Sequence, residues 1–224
     1  AQRVFDQFPL RDVVSWNALI SGYSQHQIGH KSILCFMRMQ DEGIPPNVVT
    51  FISLLKACGS IRCLKVGESI HAKIVKQQLL ERNVVLSNAL VDMYGKCGML
   101  EKAQEVFDEI PVHDIVSWNA CISGHIAEGS FLKSIDIFEK LKIVSVQPDE
   151  VTFTVILSAC SHIGLANRGM EYFNSMSNEY GLMPNIKHYC SMVDLLGRVG
   201  DLEGLRTLLE RMPIQADLHV WMCT

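Results

Sequence analysis

The string DVVSWNALISG at residues 12 to 22 returns as DIVSWNACISG at residues 114 to 124, and Trp118 stands 102 residues after Trp16. The same offset carries VVTFISLLKAC (48 to 58) onto EVTFTVILSAC (150 to 160), LVDMYGKCGMLE (90 to 101) onto MVDLLGRVGDLE (192 to 203), and AQRVFDQFPLRD (1 to 12) onto AQEVFDEIPVHD (103 to 114). A chain that repeats itself at this scale is an array of supersecondary units whose core is one continuous stack, so counting domains by length is the wrong question. What is shared between copies builds the structure, and what differs is where function is sought.

The period divides further. Trp16/Leu19/Ile20, Phe51/Leu54/Leu55, Asn88/Leu90/Val91, Trp118/Cys121/Ile122, Phe153/Ile156/Leu157 and Tyr189/Met192/Val193 open successive units, which set boundaries at 13 to 47, 48 to 83, 84 to 114, 115 to 149, 150 to 185 and 186 to 217. Residues 1 to 12 read as the tail of an earlier unit and 218 to 224 as the start of another element. In the first unit Trp16, Leu19, Ile20 and Tyr23 fall at i, i+3, i+4 and i+7, one face of a helix. After a polar break at 24 to 30, Ile33, Phe36, Met37 and Met39/Gln40 continue a second helix, which ends at the turn signal DEGIPPN, matched by SVQPD and YGLMPN further on. Neither helix buries its apolar stripe alone. The expectation is an all-α fold, a right-handed superhelical α-solenoid of helix-turn-helix repeats with a concave face.

Several classes of function lack their machinery. The eight cysteines (35, 58, 63, 97, 121, 160, 190 and 223) contain no CxxC and no paired ligand clusters, and read as small buried side chains in a reducing compartment. No histidine sits in an HxE deaminase signature, and neither a Gly-rich phosphate loop nor GxSxG is present. No enzyme activity, metal or cofactor is expected. Apolar residues make up 48% of the chain but come in short groups, so no membrane span is expected. The first residue, Ala1, falls inside a repeat, which places any targeting segment outside this sequence. Truncated ends would expose apolar surface and favour self-association.

Units of 35, 36 and 31 residues in rotation, carrying VVSWNALISGY, VVTFISLLKAC, NALVDMYGKCGMLEKAQEVFDEIP and a terminal PN or PD, resemble the pentatricopeptide repeat proteins of the plant PLS subfamily over essentially the whole chain. In that vocabulary 13 to 47 and 115 to 149 are P repeats, 48 to 83 and 150 to 185 are L repeats, and 84 to 114 and 186 to 217 are S repeats. The trailing LHVWMCT, with Trp221, resembles the start of an E-type extension, and residues 1 to 12 the end of an S repeat. The resemblance implies single-stranded organellar RNA as partner, in a mitochondrion or chloroplast with the mitochondrion favoured. It implies site recognition for C-to-U editing or other transcript processing, with editing cofactor proteins and a deaminase acting in trans.

The resemblance also assigns residues, because in this family the fifth and last residues of a unit select one base. Val14, Asn17 and Ser21 lie on the side of the first helix opposite its core face, and Asn17, Asn88 and Asn119 share the fifth slot. An Asn amide offers both a donor and an acceptor to a base edge. If Asp149 accepts from the Asn119 amide nitrogen, the amide oxygen is left to accept N3–H of uracil, whereas an Asn partner leaves the amide nitrogen facing N3 of cytosine. On this reading Asn88/Asp114 and Asn119/Asp149 select U, Asn17/Asn47 selects C, and Thr154/Asn185 resembles an adenine pair. Ile52/Asn83 and Cys190/Asp217 depart from readable combinations, and the expected target is 5′-C-N-U-U-(A)-N-3′. Val14, Val49, Val85, Val116 and Val151, each second in its unit, would clamp base faces, with interhelical packing as the alternative; Lys187 breaks the series. For the Asn residues the alternatives are helix capping or a solvated face.

A net charge of −4 is unusual for an RNA binder. Lys96 and Arg198 occupy equivalent slots and could meet phosphates, or could be solvated surface. The main rival class is a scaffold that binds protein partners such as editing cofactors. Tetratricopeptide hairpins place Gly near the eighth residue, where this chain has Ile20, Leu55, Val91, Ile122, Leu157 and Val193. Ile52 in a fifth slot suits partner contact.

Overall fold

A computed structural model describes residues 5, 11–80, 83–144 and 146–212. The tail of an earlier unit, Asp217 and the expected E-type extension with Trp221 lie largely or wholly outside them. The described residues form twelve helices and no strand: α1 Val13–Gln25, α2 Gly29–Asp41, α3 Val48–Ser60, α4 Leu64–Lys76, α5 Val84–Lys96, α6 Leu100–Asp108, α7 Ile115–Ala127, α8 Phe131–Ile143, α9 Glu150–Ile163, α10 Ala166–Asn178, α11 Ile186–Val199 and α12 Leu202–Glu210. No described helix is long and apolar enough to cross a membrane.

The chain divides into two compact units, residues 1–113 and 114–224. In the first, α1 packs on α2 as a hairpin and on α3 of the next hairpin, and α3 packs in turn on α5. The second repeats the plan with α7, α9 and α11 as the inner layer and α8, α10 and α12 as their hairpin partners. This is an all-α helical-repeat architecture, as the apolar spacing requires.

The stripe logic explains the packing. Trp16, Leu19 and Ile20 of α1 meet Ile33, Phe36 and Met39 of α2, all of them buried. Met37, expected on the same stripe, instead lies on the solvent side, 49% exposed, while Cys35 is buried. A stripe advancing by 3.6 residues per turn through positions 33, 36 and 39 cannot also include 37 near its edge without widening, and Cys35 fills the narrower space. Trp16 is completed by Phe5, ring edge to ring face with centroids 4.6 Å apart. The later hairpins repeat the theme with Phe138 between Phe153 and Tyr172.

Two local devices set the hairpins. Each inner-to-outer turn takes one residue into the left-handed region, which glycine supplies at Gly98, Gly129, Gly164 and Gly200 but Gln27 and Arg62 supply in the first two hairpins. Close helix approach depends on the absence of a side chain at Gly29, where a Cβ would stand 2.7 Å from the Ala57 carbonyl oxygen.

Cys58, Cys63, Cys97 and Cys160 are free thiols. Burial raises the Cys58 thiol to about 12 and the Cys160 thiol to about 11, so both stay protonated and inert in the core.

Candidate nucleic-acid interface

The last residue of a unit is the N-cap of the next inner helix. Asp12, Asn47, Asn83, Asp114, Asp149 and Asn185 each accept, through the side chain, a backbone N–H in the first turn of α1, α3, α5, α7, α9 and α11 respectively. At Asn47, Asp114, Asp149 and Asn185 the capping is reciprocal, since the third residue of the helix returns a side-chain contact to the cap's own N–H. The cap fixes its side-chain oxygen at the head of the inner helix, where four backbone N–H groups lack helical partners. From there Asn47 and Asp149 reach the fifth residues of their own units, Asn17 and Asn119.

In the hairpin α7/α8, Asn119 Nδ2 donates to Asp149 Oδ1 at 3.1 Å. The same oxygen accepts the Thr152 N–H at 2.8 Å and the Thr152 hydroxyl at 2.8 Å. Burial pushes the Asp149 carboxyl up, but the backbone and hydroxyl bonds from Thr152 and the Asn119 amide outweigh it and hold the group below its ordinary 3.8. Asn119 is only 8% exposed, and its Oδ1 is covered and has no hydrogen-bond partner.

In the hairpin α1/α2 the corresponding pair is neutral. Asn17 Nδ2 donates to Asn47 Oδ1 at 3.0 Å, and that oxygen also accepts the Thr50 N–H at 3.1 Å. Here Asn17 Oδ1 has a partner, the Thr50 hydroxyl at 2.6 Å. The helical register puts the fifth-slot Asn residues on an open face, and an Asn cap is expected to leave the amide nitrogen of Asn17 turned outward. The structure differs on both points: Asn17, Asn88 and Asn119 are 8%, 4% and 8% exposed, and Asn17 directs Nδ2 toward its cap just as Asn119 does. The cap explains this, because both Asp149 and Asn47 use an oxygen to hold the helix N-terminus and so present an acceptor to the amide. What the Asn cap adds is its own Nδ2, on an exposed side chain.

Thr154 and Asn185 do not pair. Asn185 Nδ2 donates to Glu150 Oε2 at 3.0 Å and its Oδ1 accepts the Lys187 N–H at 3.0 Å. His188, fully buried, takes the place held by Thr50 and Thr152 in the other caps: its Nδ1 lies 3.0 Å from the donating Asn185 N–H, which puts the ring proton on Nε2. From there Nε2 meets the Glu150 carbonyl at 2.8 Å and the Thr154 hydroxyl at 3.0 Å. Thr154 and Asn185 nevertheless line one small cavity of about 270 Å³ with Val151 and Lys187. The expected adenine pair is thus replaced by a histidine-centred network that residue types in two slots could not reveal.

Asn88 is buried on α5 in the first unit and Asp114 caps α7 in the second, where Ser117 N–H donates to it at 2.8 Å. Ile52 brings no polar group to its slot, and Asn83 holds Leu86 N–H at 3.3 Å.

The second-position valines are all on the surface: Val14 is 68% exposed and Val49, Val85, Val116 and Val151 lie between 54% and 59%. Interhelical packing therefore does not account for them among the described residues. Lys96 and Arg198 are less available than their slots imply. Lys96 Nζ is 2.7 Å from Asp92 and Arg198 Nε is 2.9 Å from Asp194, each one helical turn back. The acid that precedes each cation at i−4 was visible in the sequence as an ion-pair spacing. No cluster of His, Cys, Asp or Glu able to hold a metal occurs among the described residues.

The PPR repeat family profile matches residues 11–60 and 113–162, and a PPR repeat profile matches 85–115, 151–179 and 187–214. The chain belongs to the PPR repeat family. A mitochondrial pentatricopeptide repeat-containing protein of Arabidopsis thaliana is 42% identical over 220 residues, covering 98% of this chain and 32% of that protein. A second pentatricopeptide repeat-containing protein of the same plant is 42% identical over 222 residues, 99% of this chain and 30% of the relative. The chain thus spans about a third of the length of these curated relatives. Among solved structures, the maize pentatricopeptide repeat protein PPR10 in complex with an 18-nt psaJ RNA element superposes with a TM-score of 0.62 at 16% identity, over 99% of this chain and 37% of that one. The nuclear proteinaceous RNase P 2 of A. thaliana gives 0.57 at 12% identity, over 84% and 43%. Both likenesses concern the fold.

Proposed function

We propose that this pentatricopeptide array binds single-stranded RNA in a sequence-specific manner, one base per repeat, and serves as the site-recognition part of a longer plant organellar protein of the PLS subfamily. Its role is C-to-U editing or related transcript processing, in a mitochondrion or chloroplast with the mitochondrion favoured, with editing cofactors and a deaminase acting in trans. PPR10 is described in complex with RNA, and mitochondrial proteins stand among the relatives.

The observation that carries the reading is the Asn119/Asp149 pair. Asn119 holds a buried amide oxygen without a partner, a state that costs about 1–3 kcal/mol and that an incoming N–H donor relieves. Uracil carries such a donor at N3, and cytosine carries an acceptor there. The exposed valines on either side, Val116 and Val151, supply apolar surface for the faces of the base. The oxygen is covered in this structure, so binding requires the side chains around it to part. The units 84–114 and 115–149 are assigned U and 13–47 is assigned C; the slot of Thr154 and Asn185 is left unassigned because His188 occupies the hydrogen bonds that would define it.

The test is equilibrium binding of the chain to single-stranded RNAs that carry U U or A A opposite units 84–114 and 115–149. Tighter binding of the U U strand by about tenfold or more is expected. Equal affinity for the two strands defeats the base-reading model and leaves a scaffold for protein partners as the better description.

A further inference from the structure

The two P repeats differ in the bonding of a threonine just beyond each of them, to which neither the fifth nor the last slot draws attention. Thr50 and Thr152 are third in the helix that follows each repeat, both fully buried, and both accept the cap's N–H at 3.1 Å. Each hydroxyl has one proton to give. Thr152 gives it to Asp149 Oδ1 at 2.8 Å, and no bond reaches Asn119 Oδ1. Thr50 stands 3.1 Å from Asn47 Oδ1 but 2.6 Å from Asn17 Oδ1, and the shorter contact takes the proton.

We propose that this hydroxyl is a specificity-determining positioning residue: it relays the charge of the cap to the base-selecting amide, filling the amide oxygen when the cap is Asn and leaving it empty when the cap is Asp. The physical cause is competition between acceptors. A carboxylate is a stronger acceptor than an amide carbonyl, so an Asp cap retains the hydroxyl proton and an Asn cap loses it to the neighbouring amide. The consequence reaches the base. Uracil N3–H meets an unfilled acceptor at Asn119, whereas at Asn17 it would have to displace a 2.6 Å hydrogen bond. Rejection of uracil by the Asn17/Asn47 repeat thus comes from Thr50, while Nδ2 of the exposed Asn47 side chain is the donor available to N3 of cytosine.

This inference rests on the base-reading function proposed above, and the experiment separates the two. Thr50→Val, Thr50→Ser and Thr152→Val are made in the 224-residue chain, and each is titrated with four RNAs carrying C or U opposite unit 13–47 and C or U opposite unit 115–149. The readout is the C:U affinity ratio at each slot, which a general loss of folded protein leaves unchanged. Thr50→Val is expected to lower the C preference at its slot by about fivefold to tenfold by freeing Asn17 Oδ1. Thr50→Ser, which keeps the hydroxyl, is expected to preserve it, and Thr152→Val to hold the U preference of its slot within about twofold. If the unsubstituted chain fails to discriminate C from U at either slot, the base-reading function itself falls. If it discriminates but Thr50→Val leaves the ratio at its slot unchanged, or Thr50→Ser shifts it as far as Thr50→Val, the hydroxyl relay is overturned and base reading stands.

Discussion

Replacing Asp149 by Asn tests the coupling between fold and recognition at one atom. Asn and Asp are near-equal N-caps, so α9 should keep its start and the stability of the chain should move by no more than about 0.5 kcal/mol. The base-facing chemistry changes more. Asp149 Oδ1 now accepts three bonds, from Thr152 N–H, the Thr152 hydroxyl and Asn119 Nδ2. A hydrogen bond to a charged group contributes about 1.5–3 kcal/mol against about 0.5–1.5 for a neutral one. Removing the charge therefore weakens the hold on Asn119 by about 1 kcal/mol, and the new amide adds a donor where a second carboxylate oxygen stood. Weakened U binding and gained C binding, at about 1 kcal/mol each, give a swing of about thirtyfold in the U:C ratio at this slot. Fluorescence anisotropy with two oligonucleotides differing only at that base reads the ratio, and circular dichroism melting reads the fold. An unchanged ratio with an unchanged melt refutes the assignment of Asp149. A changed ratio accompanied by a melt lowered by many degrees assigns the effect to a damaged cap instead.

Acid should leave the same ratio flat over pH 5 to 8: the Asp149 carboxyl is held below 3.8, so its contribution is complete above the ordinary carboxylate pKa near 3.9 and disappears only as pH falls through the lower folded value; a ratio that declines between pH 7 and 5 contradicts this. Binding should depend weakly on salt, with a log–log slope no steeper than about −1.5, because Lys96 and Arg198 are tied to Asp92 and Asp194 and about two phosphate contacts at most remain for them; a slope beyond about −3 would mean many phosphate contacts elsewhere. Gly29→Ala should cost about 1–3 kcal/mol by driving a methyl into the Ala57 carbonyl, while Gly197→Ala, with open space around it in α11, should stabilise by up to about 1 kcal/mol. Chemical denaturation of the two variants measures both signs. Arg62→Gly should stabilise by about 0.5–1 kcal/mol, since Arg62 holds φ at +51° in a turn where later hairpins use glycine.

The helices and their stripes were legible because a hairpin is a local object. Trp16, Leu19 and Ile20 announce a buried face by spacing alone, and the 102-residue period repeats the statement. The cap series was legible in principle, through D or N followed three residues later by S or T at Asp12/Ser15, Asn47/Thr50, Asp114/Ser117 and Asp149/Thr152, but a fifth-and-last-residue reading directs attention past it. Partner choice was not legible. The Thr50 hydroxyl turns to the Asn17 amide and the Thr152 hydroxyl to the Asp149 cap, a difference that the proposed competition between acceptors accounts for but that shows itself only once the packed helices bring cap, hydroxyl and amide within reach. The diversion of Asn185 to Glu150 likewise depends on His188 filling a space where other repeats place a small hydroxyl.

On the proposed base-reading function the cap residue carries a double duty, which limits how such an array can change its target. A last residue must accept a backbone N–H at the head of the next helix, which confines it to side chains with a short acceptor, here Asn or Asp in every described case. A substitution outside that set would uncap a helix packed against both neighbours in its inner layer, as α9 packs against α7 and α11, and on the proposed function would alter base choice as well. Asp149→Leu should therefore fail in two separable ways: loss of U preference in binding, and a melting loss of about 1 kcal/mol that Asp149→Asn does not share. If Asp149→Leu kept full stability, α9 would be held by packing alone, and the restriction of these positions to Asn and Asp would have to come from RNA recognition without any contribution from the fold.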